Sequence, residues 1–242
     1  MSRLPTFPGL QVRPVESSDE LLAARRLHAD CYADAGYVEQ GDTTDQGVID
    51  DPWVPYSDYF VAIDELEQSL VGTCRIIKPS VAGFPVFQTT ETFPATLDVF
   101  GELDPNVCIE ISALATTRDG LQNTAISAAL YGQVWQEALR SRRAYMLAFI
   151  DNRLLRIMQQ YFHFPFEPTG PTVDYMGSAS TPVAMFVPRT ISEARRFHPE
   201  HLAFFSGDIP FRKINEVEID LRERVPELRA EPVEAAPVIS LP

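Results

Sequence analysis

The chain is poor in cysteine, in basic residues and in long apolar runs. Its 242 residues include only Cys31, Cys74 and Cys108, without any C-x-x-C spacing, which argues against a disulfide framework and against a zinc site. No apolar run approaches the roughly 18 residues that a membrane span requires, and the first residues contain no apolar signal-peptide core. We therefore expect buried, reduced thiols, a cytoplasmic location and no membrane span.

The shortage of positive charge restricts the partners. Lys and Arg number 20 against 34 Asp and Glu, and the formal net charge is −14. Because nucleic-acid binding depends on neutralising phosphates, a nucleic-acid partner is not expected. Recognition is local, however, and the densest basic cluster is Arg140, Arg142 and Arg143. An acidic protein partner therefore remains compatible with the sequence.

What the chain does have is enough apolar material for a large core. Hydrophobic residues make up 45% and aromatic residues 10% of the sequence. We predict one domain over residues 1–225, followed by a disordered tail rich in Pro, Ala and Glu over residues 226–242.

Hydrophobic periodicity predicts the order β-α-β-β-β-α-β-α-β, which is an α+β fold built on a mostly antiparallel sheet. The best helix covers residues 124–139, directly after a strongly apolar strand at residues 107–116. Residues 36–57 form a polar, acidic segment that fits either a lid or ordinary surface packing. Residues 79–105 are predicted to be an irregular excursion.

The strand, turn and helix around residues 116–127 suggest a phosphate site. A helix N-terminus presents unpaired N–H groups and the positive end of the helix dipole. The segment resembles the Q/R-x-x-G-x-G/A pyrophosphate loop of the GNAT superfamily, although any capped helix after a strand would look similar. The resemblance implies that the phosphates of a co-substrate are bound by Thr116, Gln122, Thr124, Ala125 and Ser127.

Further segments carry a wider resemblance. Residues 59–62, residues 71–79 with Gly72 and Arg75, and residues 110–115 with Glu110 and Ser112 follow one another in a characteristic series. Over roughly residues 20–187 the chain resembles the N-acyl amino acid synthases and the acyl-homoserine lactone (autoinducer) synthases, two branches of the GNAT fold.

This resemblance implies an acyltransferase that moves a fatty acyl chain from acyl carrier protein, or from CoA, to the amino group of a small molecule. No tightly bound cofactor is expected, because acyl-CoA or acyl-phosphopantetheine serves as a co-substrate. Ala113 replaces the Arg that lactone synthases usually carry, and Asp42, Asp45, Asp50 and Asp51 form a looser acidic run than theirs. An N-acyl amino acid product therefore fits better than a lactone.

Chemistry suggests roles for the residues of the central strand. The reaction needs a base to take the proton of the amine, and a carboxyl on an apolar strand has a raised pKa, so Glu110 is the candidate. An ion pair between Glu110 and Arg75 is the structural alternative, and Arg75 is equally suited to binding a substrate carboxylate. Ser112 shares the face of Glu110, for substrate contact or for packing. In this fold a backbone N–H of the strand, here that of Leu114, is expected to stabilise the oxyanion.

The remaining assignments concern substrate, partner and metal. Trp53 in the acidic segment and Phe84 in the excursion are candidates for substrate binding, although most aromatic residues belong to the core. Arg140, Arg142 and Arg143 are candidates for docking acyl carrier protein, or else cations at a helix C-terminus. The four histidines are dispersed without metal spacing, so we expect no metal and direct acyl transfer rather than a covalent acyl-enzyme.

Two other functions stay open at this point. One is an acetyl-CoA-dependent N-acetyltransferase of small molecules. The other is a non-catalytic relative that binds an acyl carrier or a ligand.

Overall fold

The structure is a computed structural model, and it describes residues 6–38, 42–175 and 177–225. The predicted tail at residues 226–242 lies outside the described residues. In the described part, most of the buried apolar side chains belong to one core cluster. No helix there is both long and apolar enough to cross a membrane.

Within the described residues one sheet contains eight strands in the order β1-β2-β3-β4-β5-β8-β6, with β7 also paired to β8. All neighbouring strands are antiparallel except β4 and β5, which are parallel. The mixed, mostly antiparallel α+β architecture that the sequence predicts is therefore confirmed. The strands are β1 Leu10–Pro14, β2 Ser57–Asp64, β3 Ser69–Ile77, β4 Cys108–Thr116, β5 Tyr145–Asp151, β6 Glu167–Pro168, β7 Val173–Tyr175 and β8 Ser178–Phe186.

Helices cover the sheet and extend past its last strand. They are α1 Ser18–Asp34, α2 Val86–Thr89, α3 Pro94–Glu102, α4 Gly120–Arg140, α5 Asn152–Tyr161, α6 Val187–Phe197, α7 Pro199–Ser206 and α8 Phe211–Arg224, with short 3₁₀ turns at Val54–Tyr56 and Pro105–Val107.

Three helix predictions need correction. The excursion at residues 79–105 is not wholly irregular, since it contains α2 and α3. The predicted order of elements ends at a strand, whereas α6, α7 and α8 follow β8 and pack their apolar sides onto the core. The long helix α4 starts at Gly120, four residues before the predicted start, because the left-handed backbone of Gly120 (φ +58°) makes the turn.

The helices α1 and α4 lie on opposite faces of the sheet. Gly72 of β3 faces α4, where a Cβ would lie only 2.8 Å from Ile126 Cγ2. Glycine is therefore required for the close approach of helix and strand. Arg75 points to the other face, because side chains alternate along a strand. There it influences His28 of α1 electrostatically.

The centre of the sheet opens between β4 and β5. Their parallel pairing covers only residues 108–111 of β4 and 145–148 of β5. Just beyond it, β4 contains a bulge, where Ala113 and Leu114 together lie opposite Cys74 of β3. Ala113 has a φ of +53°, which is uncommon for a residue with a Cβ. The bulge and the end of the pairing leave a gap between two neighbouring central strands.

Candidate active site

A cavity of about 420 Å³ occupies this gap. It is lined by residues of β4 and β5, by side chains from α1 and α4, and by parts of the acidic segment and the excursion. Contributions from helices on both faces show that the cavity passes through the sheet. Its volume is in the range of small-molecule sites.

Glu110 lies in the wall of the cavity with only 1% of its surface exposed. Its Oε2 atom accepts a hydrogen bond of 3.0 Å from the backbone N–H of Val86. Burial raises the pKa of Glu110 to about 8, although the Val86 hydrogen bond and the charge of Arg75 act to lower it. The carboxyl group can therefore gain and lose a proton near neutral pH.

Arg75 holds a polar cluster beside Glu110. Its Nε donates to Ser112 Oγ at 2.7 Å, and its Nη1 lies 2.5 Å from Asp51 Oδ2 and 3.3 Å from the Tyr59 hydroxyl. The carboxylate paired with Arg75 is thus Asp51, and the alternative of an ion pair between Arg75 and Glu110 is not what forms. Ser112 lies opposite Arg75 in the strand register, on the face of Glu110.

Asp51 belongs to the acidic segment at residues 36–57, which lies against this cluster. The other carboxylate oxygen of Asp51 accepts from the backbone N–H of Trp53 at 2.9 Å. Arg25 of α1 fixes the segment by donating to the Ile49 carbonyl at 3.0 Å. Trp53 therefore supports Asp51 through its backbone, and its side chain is not among those lining the cavity. Phe84 is likewise a buried core residue outside the cavity lining.

Sequence reasoning did not identify the histidine and tyrosine side chains that line part of the cavity. His28 and Tyr32 come from α1, Tyr131 from α4 and Tyr175 from β7. Burial, followed by the charge of Arg75, lowers the pKa of His28 to about 4, and its buried Nε2 has no hydrogen-bond partner in the described structure. His28 is therefore a neutral imidazole at pH 7. The i, i+4 spacing of His28 and Tyr32 was the available signal, since it places both on one helix face.

The end of β5 closes one side of the cavity. Asp151 caps α5, accepting from the backbone N–H groups of Arg153 at 2.7 Å and Leu154 at 3.2 Å, and it also accepts from the Ser178 hydroxyl. Burial alone would raise the pKa of Asp151, but these hydrogen bonds hold it below its usual value. Asp151 is thus a structural anion that places the start of α5 at the cavity.

The start of α4 differs from the predicted phosphate loop. Because the helix begins at Gly120, the backbone amides of Ala125 and Ser127 lie inside it, and Ala125 is buried. Thr124 donates its hydroxyl to the Gly120 carbonyl, and Ser127 donates to Asn123. The amides that a helix start leaves unpaired are those of residues 120–122, which include Gln122.

The last residue of β4, Thr116, lies next to this turn. Its carbonyl accepts from the Cys31 thiol at 3.4 Å. All three cysteines are free thiols, and burial raises the pKa of each.

The three arginines predicted to dock a carrier protein make contacts within the chain. Arg140 pairs with Asp208 at 3.0 Å and Arg142 with Asp220 at 3.1 Å, and Arg143 donates to the Asn106 carbonyl. They lie at the C-terminal end of α4, whose 21 residues span about 30 Å. The cavity lies beside the C-terminal halves of β4 and β5 and contacts α4 at Tyr131, near the middle of the helix.

The histidines are less dispersed than predicted. His28 lines the cavity, whereas His163, His198 and His201 meet elsewhere, with ring nitrogens within 4.8 Å of one another.

A sheet opened between its parallel central strands, with a buried carboxyl in the gap, has the architecture of GNAT-like acyltransferases. Residues 23–187 match the family model of the N-acyl amino acid synthase FeeM, so the chain belongs to this family of acyltransferase enzymes. No curated protein matches the sequence at a significant level.

Solved structures with the same fold include two kinds of synthase. FeeM, an N-acyl amino acid synthase from uncultured soil microbes, aligns with a TM-score of 0.58 and 20% identity, over 76% of this chain and 93% of its own. BjaI, a CoA-dependent acyl-homoserine lactone synthase, aligns with a TM-score of 0.60 and 16% identity, over 87% and 100%. The acyl-homoserine lactone synthase LasI gives 0.54 and 16%, over 73% and 88%.

Proposed function

We propose that this enzyme transfers a fatty acyl group from a phosphopantetheine thioester to the amino group of an amino acid or a related small amine. The observation that carries this proposal is the position of Glu110. Its buried carboxyl, with a pKa of about 8, lines a cavity in the gap between β4 and β5. A group that exchanges protons near neutrality in the wall of a cavity suits an amine as nucleophile.

The step follows from the chemistry of a thioester. The nitrogen of the neutral amine attacks the thioester carbonyl carbon, a C–N bond forms and the C–S bond breaks. Glu110 takes the proton that the nitrogen loses, directly or through water, and the departing sulfur leaves as the thiolate and is then protonated.

The β4 bulge supplies donors for the oxyanion of this step. Ala113 and Leu114 line the cavity at the bulge, where the regular register of β4 with β3 is interrupted and its pairing with β5 has ended. We assign their backbone N–H groups, at this break in the regular ladder, to stabilising the negative carbonyl oxygen. This supports the assignment of Leu114 as an oxyanion donor.

Arg75 is the group that we assign to the acceptor's carboxylate. The contacts to Ser112, Asp51 and Tyr59 use three of the five N–H donors of its guanidinium. The remaining donors can bind a carboxylate, and the fixed guanidinium would orient an amino acid with its nitrogen towards Glu110. Ser112 contributes by holding Arg75 in place.

The start of α4 and the start of α5 favour entry of the donor from one end of the sheet. Unpaired amides at residues 120–122 suit the phosphates of CoA or of phosphopantetheine. Arg153 and Arg156 are exposed near the start of α5, beside the cavity. We therefore assign the docking of an acidic carrier protein to Arg153 and Arg156, instead of to Arg140, Arg142 and Arg143, which make contacts within the chain.

The size of the cavity favours a long acyl chain over an acetyl group. A two-carbon donor needs little of the 420 Å³, and Ile111, Leu154, Met158 and Phe166 provide apolar lining. Burial of each additional CH₂ group contributes about 0.8 kcal/mol, so such a wall favours longer donors. These features support fatty acyl transfer over the acetyl-CoA alternative.

The test is a comparison of small-molecule extracts by mass spectrometry. Cells overproducing the wild type are compared with an empty vector and with cells overproducing Glu110→Gln. We expect fatty acyl amides of an amino acid in the wild-type extract, strongly reduced in the variant. Equal amounts of these amides in all three extracts would contradict the proposal and favour the non-catalytic alternative.

A further inference from the structure

A cluster of three histidines lies outside the catalytic cavity and takes no part in the proposed reaction. His163 follows α5, His198 joins α6 to α7, and His201 lies in the first turn of α7. The ten residues of α5 span about 15 Å between Asp151 at the cavity and this cluster. We propose that His163, His198 and His201 bind a divalent transition metal such as Zn²⁺.

The arrangement of the three ring nitrogens supports this site. One ligand atom from each histidine lies within 4.8 Å of the other two. Zn–N bonds of about 2.0–2.1 Å in a tetrahedral site require nitrogen separations of about 3.3 Å. Side-chain rotations that move the nitrogens together by about 1.5 Å would complete the coordination. His163 is exposed and lies in a connecting segment, so its side chain can make this adjustment.

His201 provides an independent sign of a missing ligand. Its Nδ1 atom is buried and has no hydrogen-bond partner in the described structure. Leaving a buried polar nitrogen unpaired costs free energy, so such atoms normally have a partner. A metal ion bound through Nδ1 of His201 would satisfy this atom.

The backbone brings the three side chains together. His163 has a φ of +57°, in the left-handed region, and Phe162 and Phe164 on either side of it are anchored in the core. His201 donates its backbone N–H to the His198 carbonyl at 3.0 Å, and this bond holds the two residues in one turn at the start of α7. Residues i and i+3 in this geometry face the same side.

The surroundings are apolar, with one nearby carboxylate. Phe162, Leu202 and Phe205 pack around the rings, and this apolar shell limits the access of water to the site. Glu200 is close enough to act electrostatically on His163 and His201. It or a water molecule would complete four-coordinate zinc.

The alternative is that the histidines merely stack. The rings of His163 and His198 are parallel, with centroids 3.7 Å apart. Stacked imidazole rings would pack α7 against the end of α5 without a metal. Metal binding can therefore be tested against stacking alone.

The experiment uses the full chain without an affinity tag, stripped of metal by a chelator. Co²⁺ is titrated and followed by its visible absorption, which is intense for tetrahedral coordination, and Zn²⁺ is then titrated in competition with a chromophoric chelator. We expect one ion per chain and a rise in the melting temperature with Zn²⁺, since an ion that binds only the folded state stabilises it. The variants His163→Ala and His198→Ala should each weaken Zn²⁺ binding about tenfold or more.

Two control variants isolate the site. His28→Asn removes the fourth histidine of the chain, in the cavity, and Cys31→Ser removes the partly exposed thiol. Both should retain the Zn²⁺ affinity of the wild type. Failure of the wild type to bind Co²⁺ or Zn²⁺ would overturn the proposal and leave stacking alone. So would a Zn²⁺ affinity in His163→Ala and His198→Ala that equals the affinity of the wild type. None of these measurements depends on the acyltransferase activity.

Discussion

The replacement Glu110→Gln tests the buried carboxyl through stability as well as through activity. Glutamine has nearly the same shape, and its side-chain oxygen can still accept from the Val86 N–H. What the change removes is the proton exchange of a carboxyl whose pKa rises from 4.5 to about 8 on folding. This shift of about 3.5 pH units corresponds to about 5 kcal/mol when the carboxyl is fully ionised.

The sign of the pH dependence follows from proton binding. Between pH 4.5 and 8 the folded protein holds the Glu110 proton and the unfolded chain does not, so the stability of the wild type falls as the pH rises. Relative to a pH well below 4.5, Glu110 lowers the free energy of unfolding of the wild type by less than about 1 kcal/mol at pH 5 and by about 3 kcal/mol at pH 7. The glutamine variant has no such loss. The difference in the free energy of unfolding, variant minus wild type, should therefore increase by about 2–3 kcal/mol from pH 5 to pH 7.

The assay is urea unfolding of both proteins at pH 5 and pH 7, combined with the rate of amide formation. Loss of the general base should lower kcat by about 10²–10⁴. The variant Glu102→Gln makes the same chemical change at an exposed position, and should alter neither property. A stability difference that stays constant with pH would refute the raised pKa. Full turnover by the glutamine variant would refute the catalytic role.

Two further predictions concern substrate and partner. Arg75→Lys removes the guanidinium group that pairs with Asp51. We therefore expect the free energy of unfolding in urea to fall by about 2 kcal/mol and the KM for the amino acid to rise. Wild-type values for both would contradict the assignment. The double variant Arg153→Glu with Arg156→Glu should raise the KM for an acyl carrier protein and not the KM for a short-chain acyl-CoA. The control Arg140→Glu should leave both KM values unchanged. The reverse result would assign the docking surface to the C-terminal end of α4.

Local patterns in the sequence were enough for the central part of the fold. Alternation along β4 places Glu110 and Ser112 on one face, and the structure shows the same placement. The apolar stripe of α4, with Ile126, Leu130 and Val134, is buried as its periodicity predicts. Such features depend on residues a few positions apart, so a sequence pattern contains them.

Features that depend on distant residues were not accessible in this way. The pairing of Asp51 with Arg75 joins a loop to a strand, and nothing local selects Asp51 from the other acidic residues of its segment. The left-handed backbone of Ala113 reflects the bulge in the sheet, because alanine itself does not favour that conformation. The meeting of His163 with His198 likewise depends on how α7 packs beside the end of α5.

The most direct test of the central claim uses the purified protein with acyl thioesters of several chain lengths, on CoA and on acyl carrier protein, and a mixture of the 20 amino acids. Amide products are identified by mass spectrometry, and the released thiol is measured in parallel. We predict a fatty acyl amide of one or a few amino acids, formed in equal amount to the thiol and strongly reduced in Glu110→Gln. Thiol release that yields only free fatty acid, or the absence of both products with every donor, would contradict amide synthesis at this site.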